Sequence, residues 1–166
     1  KSINDLKKFV ACQGTHWPDT KILKLAKLPV VTTPNFENIF KMLNAKRCDY
    51  FPRPYHDYKN EVLARAQVYP NLVAFDDIML HYPAAVYYFT NQNNTELASW
   101  LETGLQLLAQ QGKIEHLMQT HPLTAHTLPS KDESKTILLE IKNPLLPGFT
   151  DTQNSVLWFT RSDFNL

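Results

Sequence analysis

The chain has 166 residues, of which 43% are apolar and 20% are charged, and its formal net charge is +1. These values are typical of a globular protein with one domain or two small lobes. Because acids are interspersed among the basic residues, nothing indicates a nucleic-acid partner, and no apolar run approaches the ~20 residues that cross a bilayer. The chain begins without methionine or a signal-peptide pattern, and we interpret it as a mature form or a fragment.

In the first half, short apolar runs alternate with helical patterns. Four strands are predicted, at residues 9–13, 28–32, 48–51 and 72–75. Helices are expected between them: the first has Pro18 near its start, the second is capped by Asn35, and the third covers about residues 57–66. This order predicts an α/β fold with a parallel-rich sheet and helices on both faces.

The second half has a different pattern. An aromatic strand is predicted at residues 84–91, followed by a helix that Thr95 caps and Gly112 ends. One face of that helix carries Leu97, Leu101, Leu105 and Leu108. A shorter helix is expected at residues 114–118, then a loop-rich region, and then a strand at residues 136–141.

Two cysteines, Cys12 and Cys48, lie in separate apolar runs. They could form a disulfide, although two buried free thiols are favoured because cysteine often behaves as a small hydrophobe. Neither belongs to a CxxC pair, and the six histidines show no ligand pair at helical spacing, so neither a metal nor another cofactor is expected. The sequence contains no GxSxG, HExxH or Walker motif, and its spacing points to no acid–base pair.

Two loops are the candidate binding elements. In "QGTHWPD" (residues 13–19), Gly14 and Thr15 lie between a strand and a helix, where free backbone N–H groups could bind a carboxylate. Trp17 could form an apolar wall, and His16 is either a ligand contact or a solvated residue. The alternative, favoured on this loop alone, is an ordinary loop in which Thr15 caps the helix.

In "DYFPRPYHDY" (residues 49–58), Arg53 lies between two prolines, which restrict its backbone. The alternatives are a stiff turn with a solvated arginine and a cation held ready for an anionic ligand. In a 2-1-3 strand order, the first and third strands are neighbours and their two loops meet. Asp49 is interpreted as a structural residue that hydrogen-bonds a neighbouring loop.

Four segments, taken in order, resemble an extracellular solute-binding protein of the amino-acid type, which has the type II periplasmic-binding-protein fold. They are "DLKKFVACQGTHWPDT", "NFENIFKMLNAKRCDYFPRP", "YPAAVYYFTNQNNTELASWLETGLQLLAQQGKIEHLM" and "LLEIKNPLLP". The similarity runs from about residue 5 to residue 147, over the family's C-terminal two-thirds. "DYFPR" and "NPLLP" are similar to an uncharacterised branch of transporter substrate-binding-domain proteins.

The resemblance implies residues 4–83 as lobe 2, residues 84–121 as the hinge strand and closing helices of lobe 1, and residues 122–166 as a loop-rich extension. It implies a ligand-binding set of Gly14, Thr15, His16, Trp17, Arg53 and Tyr55, with Asp57 as a further candidate. Arg53 falls near the family's acidic residue for the ligand amino group. This departure favours an anionic solute over a standard α-amino acid.

We therefore expect non-catalytic binding of a small amino-acid-like or carboxylate-bearing solute in an inter-lobe cleft, for transport by an exported bacterial periplasmic protein. The alternatives are a sensory input domain and a small-molecule dehydratase on a related fold. Expected partners are the solute and a membrane permease or sensor, without nucleic acid. A homodimer or an N-terminal lobe is expected to cover the leucine face of residues 97–108.

Overall fold

Short helices and strands alternate along the part of the chain that the computed structural model describes, which comprises residues 2–125, 136–152, 154, 157 and 158. The elements are α1 (Ile3–Leu6), β1 (Ala11–Gly14), α2 (Pro18–Leu25), β2 (Val30–Thr33), α3 (Phe36–Asn44), α4 (Tyr58–Leu63), β3 (Ile78–His81), α5 (Thr95–Gln110), α6 (Lys113–Thr120) and β4 (Ile137–Glu140). The described strands form two small parallel sheets, so the chain is broadly α/β, as the sequence predicts.

The first sheet has β1 at its centre. On one side, β1 pairs in parallel with β2, with Ala11 opposite Val30 and Gly14 opposite Thr33. On the other side, a parallel bridge joins Ala11 to Tyr50, and Cys12 N–H donates to the Tyr50 carbonyl at 2.8 Å. The predicted neighbours are confirmed, although the third strand is reduced to this bridge.

Both faces of β1 are covered. Ala11 packs with Leu23 of α2 and with Leu28, whereas Cys12 packs on the other face with Ile39 of α3 and with Cys48. This division follows from the two-residue period of a strand, which sends successive side chains to opposite faces. The four residues of β1 are all buried, because helices lie on both sides.

A disulfide links Cys12 to Cys48, with their Cα atoms 5.6 Å apart. The expectation of two free thiols is therefore wrong. Cys48 lies two residues before Tyr50, whose bridge to Ala11 brings this segment beside β1. The pairing is thus a consequence of strand order, which the spacing of cysteines along the chain does not reveal.

The second sheet consists of β3 and β4, paired in parallel with Ile78 opposite Ile137. The strand predicted at residues 72–75 is wrong, because that segment has no regular structure and Val73 is 75% exposed. The strand predicted at residues 84–91 is also absent. An extended segment becomes a strand only when another edge pairs with it, and the paired edge here belongs to β3.

The helical boundaries follow local capping chemistry. The Asn35 side chain accepts a hydrogen bond from Asn38 N–H at 3.1 Å, which confirms it as the cap of α3. The cap of α5 is Asn94 rather than Thr95, since the Asn94 side chain accepts from Leu97 N–H at 3.2 Å. Gly112 has φ of +67° and separates α5 from α6, as a left-handed residue at a helix end does.

Of the helices described, none has the length and apolar character that crossing a membrane requires.

Candidate functional site

The loop after β1 is held by its own hydrogen bonds. Thr15 N–H donates to the Thr33 carbonyl at 3.0 Å, and Trp17 N–H donates to the Gly14 carbonyl at 3.2 Å. The Thr20 hydroxyl also donates to the Gly14 carbonyl, at 2.6 Å. The expectation that free N–H groups converge after Gly14 is therefore wrong for Thr15 and Trp17. Thr15 caps no helix, because α2 has Trp17 at its N-cap and no side-chain cap bond.

Gly14 is required by the Trp17 indole. A Cβ atom at position 14 would lie 2.5–2.7 Å from three carbon atoms of the indole ring. Only a glycine allows the ring to lie this close to the end of β1. Trp17 is half-buried in this position, whereas Thr15 and His16 remain exposed at the tip of the loop.

Arg53 does lie against this loop, as the 2-1-3 order predicts. Its Cζ atom is 5.2 Å from the centre of the Trp17 ring. Its guanidinium is already engaged: Nε donates to Glu61 Oε2 at 2.8 Å, and Nη2 donates to Glu61 Oε1 at 2.6 Å. Nη2 also lies 3.4 Å from an oxygen of Asp57. The rigid backbone around Arg53 therefore holds a bidentate ion pair within the chain.

Aromatic rings pack against the Arg53–Glu61 ion pair. The Arg53 guanidinium carbon lies 5.4 Å from the Phe36 ring centre and 5.2 Å from the Phe51 ring centre. A second arginine, Arg65, lies 3.9 Å from the Phe40 ring centre and pairs with Glu37 through two nitrogens. Both arginines thus lie against the Phe36 ring of one aromatic cluster. Cation–π attraction adds to the ion pairs in such an arrangement.

The second arginine, Arg65, affects the pKa of its partner Glu37. The hydrogen bond from Arg65 holds the pKa of the Glu37 carboxyl below its usual range, with the Arg65 charge contributing further. Arg65 Nη1 additionally donates to the Glu61 backbone carbonyl at 2.9 Å. Arg65 therefore links Glu37 of α3 to Glu61 of α4.

A concave pocket of about 410 Å³ opens beside this network, between α4 and the turn that follows α6. Its lining residues are His56, Asp57, Asn60, Glu61, Ala64, Arg65, Leu123 and Thr124. The pocket therefore receives residues from both halves of the chain. Its wall combines donors (the Asn60 amide, His56 and Arg65) with the carboxylates of Asp57 and Glu61. A largely apolar wall with a few polar groups is typical of small-ligand sites.

Tyr55 lies next to this pocket. Its ring is 5.4 Å from the His56 ring, in an edge-to-face arrangement. Burial raises the pKa of Tyr55 to about 12, so its phenol is neutral at physiological pH. His56 Nε2 is 3.7 Å from an Asp57 oxygen.

The structure brings together some predicted site residues and separates others. Trp17 and Arg53 are in contact, and Tyr55 adjoins the pocket through His56, whereas Thr15 and His16 lie at the exposed loop tip. Asp57, a further candidate in the sequence, lies in the pocket wall. Sequence reasoning missed Glu61, Arg65 and Asn60. The signal for Glu61 was its position eight residues after Arg53 and four after Asp57, which places both acids within reach of one guanidinium.

Within the described residues, no group of three or more histidine, cysteine, aspartate or glutamate side chains could hold a metal ion. Comparison of the chain with models of protein families, with curated proteins and with solved structures found no match.

Proposed function

We propose that this chain binds a small amino-acid-like or carboxylate-bearing solute, without converting it, in the pocket between α4 and the turn after α6. The observation that carries the proposal is the lining of that pocket. It holds about 410 Å³, draws residues from both halves of the chain, and presents donors and acceptors side by side. This volume falls in the usual range for small-ligand sites.

The proposed division of roles follows from charge. Asn60 and His56 supply donors for a carboxylate, and Asp57 supplies an acceptor for an ammonium group. The chemistry of the pocket thus suits a zwitterion of amino-acid size. In this proposal Arg53 holds Asp57 and Glu61 in place, because its Nε and Nη2 are already bonded to them. The Trp17 ring packs against the Arg53 guanidinium, and the absence of a side chain at Gly14 leaves space for the indole.

The proposed fold context is lobe 2 of a type II periplasmic binding protein. The parallel β1–β2 pair, the neighbouring Tyr50 segment and the helices on both faces of β1 support it. Open parallel sheets bind ligands outside the carboxyl ends of their strands. Arg53 and Trp17 lie at that edge, and Glu61, which holds Arg53, also lines the pocket.

The proposed location is an oxidising compartment such as the bacterial periplasm, where the protein would deliver its solute to a membrane permease. The Cys12–Cys48 disulfide supports this, since disulfides persist mainly outside the cytosol. The proposed partner surface is the face of α5 that carries Leu97, Leu101, Leu105 and Leu108, where Leu97 is 40% and Leu108 is 39% exposed. A second copy or an N-terminal lobe would cover that face, and light scattering after size exclusion would distinguish a dimer from a monomer.

The test of solute binding is thermal unfolding against a panel of amino acids, dicarboxylates and short peptides. A solute at 100 times its dissociation constant adds about 2.7 kcal/mol to the free energy of unfolding. For a chain of this length we expect a rise in Tm of roughly 5–10 °C. The variant Ala64→Trp fills the pocket without removing a side-chain hydrogen bond, and it should abolish that rise.

The matched control is Ala66→Trp, which introduces the same side chain at an exposed position outside the pocket lining. It should keep the full response. A panel without any response, or a response that both tryptophan variants retain, would contradict the proposal.

A further inference from the structure

Three aromatic rings and two carboxylates, those of Glu61 and Asp57, surround the Arg53 guanidinium. The ring centres of Trp17, Phe36 and Phe51 lie 6.0–6.3 Å from one another and form a nearly equilateral triangle. The guanidinium carbon is 5.2–5.4 Å from all three centres, so it lies over the middle of the triangle. Glu61 completes the enclosure with two hydrogen bonds. We call the three rings and Glu61 the aromatic box.

The aromatic box has the chemistry that recognises organic cations. The faces of aromatic rings attract cations, and a carboxylate binds a guanidinium fork with two parallel bonds. Both charged partners are largely removed from water, since the side chains of Arg53 and Glu61 are 17% and 16% exposed. Such interactions are stronger where water is excluded.

The walls of the aromatic box have supports that do not involve Arg53. The Trp17 indole rests on Gly14, and the rings of Phe36 and Phe51 each contact the Phe40 ring, at 5.2 Å and 5.5 Å. Trp17, Phe36 and Glu61 belong to the starts of α2 and α3 and to α4. The box should therefore keep its shape when the Arg53 side chain leaves it.

We propose that the aromatic box is a binding site for a guanidinium or methylated-ammonium group, and that Arg53 is its resident occupant. A ligand carrying such a group enters by displacing the Arg53 side chain from Glu61. Because Arg53 is tethered, it competes at a high effective concentration, and free cations bind the wild-type chain weakly. Only a ligand that makes further contacts with the protein can therefore displace Arg53.

This inference concerns a different site from the neighbouring pocket, and the two sites share the Arg53–Glu61 ion pair. None of the three aromatic rings lines that pocket, whereas Glu61 does. Ala64→Trp fills the pocket and leaves the aromatic box unchanged. A failure of one proposal is therefore distinguishable from a failure of the other.

The experiment empties the aromatic box with Arg53→Ala and adds millimolar ethylguanidinium chloride. We expect the Tm of the variant to rise, and its affinity for ethylguanidinium to exceed that of wild type by roughly tenfold or more, because the tethered competitor is gone. In a ¹H–¹⁵N spectrum, the Trp17 indole signal, assigned with Trp17→Phe, should shift during the titration.

Four controls make the result specific. Ethylurea has the same shape without the charge and should have no effect, and sodium chloride at equal ionic strength should have none. Arg47→Ala makes the same substitution at an exposed site and should respond as wild type does. In Arg53→Ala/Glu61→Gln, ethylguanidinium should bind more weakly than in Arg53→Ala.

If Arg53→Ala is unfolded in buffer, the same titration becomes a refolding assay, in which ethylguanidinium should restore the native circular dichroism and ethylurea should not. The proposal is overturned if ethylguanidinium acts no better than ethylurea in either format. An unchanged Trp17 indole signal in a folded Arg53→Ala would overturn it as well.

Discussion

Removal of the Cys12–Cys48 disulfide should lower the free energy of unfolding by about 4 kcal/mol. The bridge joins residues 36 positions apart. On the chain-entropy relation, a closed loop of that size removes about 13 cal/mol/K from the unfolded state, or about 4 kcal/mol at 25 °C. For a chain of this length, that loss corresponds to a fall in Tm of roughly 8–16 °C.

The assay compares Cys12→Ala, Cys48→Ala and the double variant by urea unfolding and by thermal unfolding. Each single variant already breaks the bridge, so the two single losses should together exceed the loss of the double variant by about 4 kcal/mol. Reductant should lower the Tm of wild type and leave the Tm of the double variant unchanged.

Additive losses from the two single variants would refute this reasoning, because they would reflect two independent packing defects without a shared bond. Alkylation of two thiols in the unfolded, unreduced protein, read by intact mass, would refute it directly. Both cysteines are buried, so alkylation of the folded protein would not distinguish the two cases.

Three further predictions test the local structure. Gly14→Ala should lower the free energy of unfolding by about 1–3 kcal/mol, because its Cβ would overlap the Trp17 indole. This loss should be smaller in a Trp17→Ala background. Chemical unfolding of wild type, the two single variants and the double variant measures both effects. Tyr50→Phe should be neutral or stabilising by up to about 1 kcal/mol at pH 7, since the Tyr50 hydroxyl is buried without a hydrogen-bond partner in the described part of the chain. Burial, with a contribution from the Asp49 charge, raises the pKa of Tyr50 to about 12. Unfolding therefore releases a proton above pH 10, and the free energy of unfolding falls as the pH rises from about 10 to about 12. Tyr50→Phe should reduce that fall in alkaline unfolding curves. Asn35→Ala should cost about 1 kcal/mol by removing the bond to Asn38 N–H, and an equal stability in urea would show that this cap is dispensable.

The order of elements from β1 to α4 could be predicted because it rests on local signals, although the predicted third strand is only a bridge at Tyr50. Pro18 at the first position of α2 and Asn35 at the cap of α3 lie where the sequence places them. The apolar run around Ala11 gives the buried central strand. The role assigned to Asp49 is also confirmed, since its carboxylate accepts a hydrogen bond from Val10 N–H at 2.7 Å.

The strands between residues 72 and 91 could not be placed, because pairing decides them, whereas β4 lies within the strand predicted at residues 136–141. Residues 72–75 and 84–91 are as apolar as β3, yet β3 is the segment that β4 pairs with. The β4 strand lies 56 or more residues further along the chain. A local apolar run carries no information about such a distant partner.

The sequence predicted that the loops carrying Trp17 and Arg53 meet, and it missed the ion pair of Arg53 with Glu61. The contact between Trp17 and Arg53 follows from strand order alone. The partner of Arg53 does not, because a rigid arginine at a sheet edge suits a ligand carboxylate and a glutamate of the chain equally well. Glu61 supplies that carboxylate from α4, and only the packing of α4 brings it there.

The measurement that tests the central claim most directly is a ¹H–¹⁵N titration of the wild-type chain with a solute that raises its Tm. If the pocket binds that solute, the backbone amides of Ala64 and Thr124 and the side-chain amide of Asn60 should shift together with one dissociation constant, because these groups line one cavity from both halves of the chain. Shifts confined to the face of α5, or shifts around Asn60 without any at Thr124, would contradict the account.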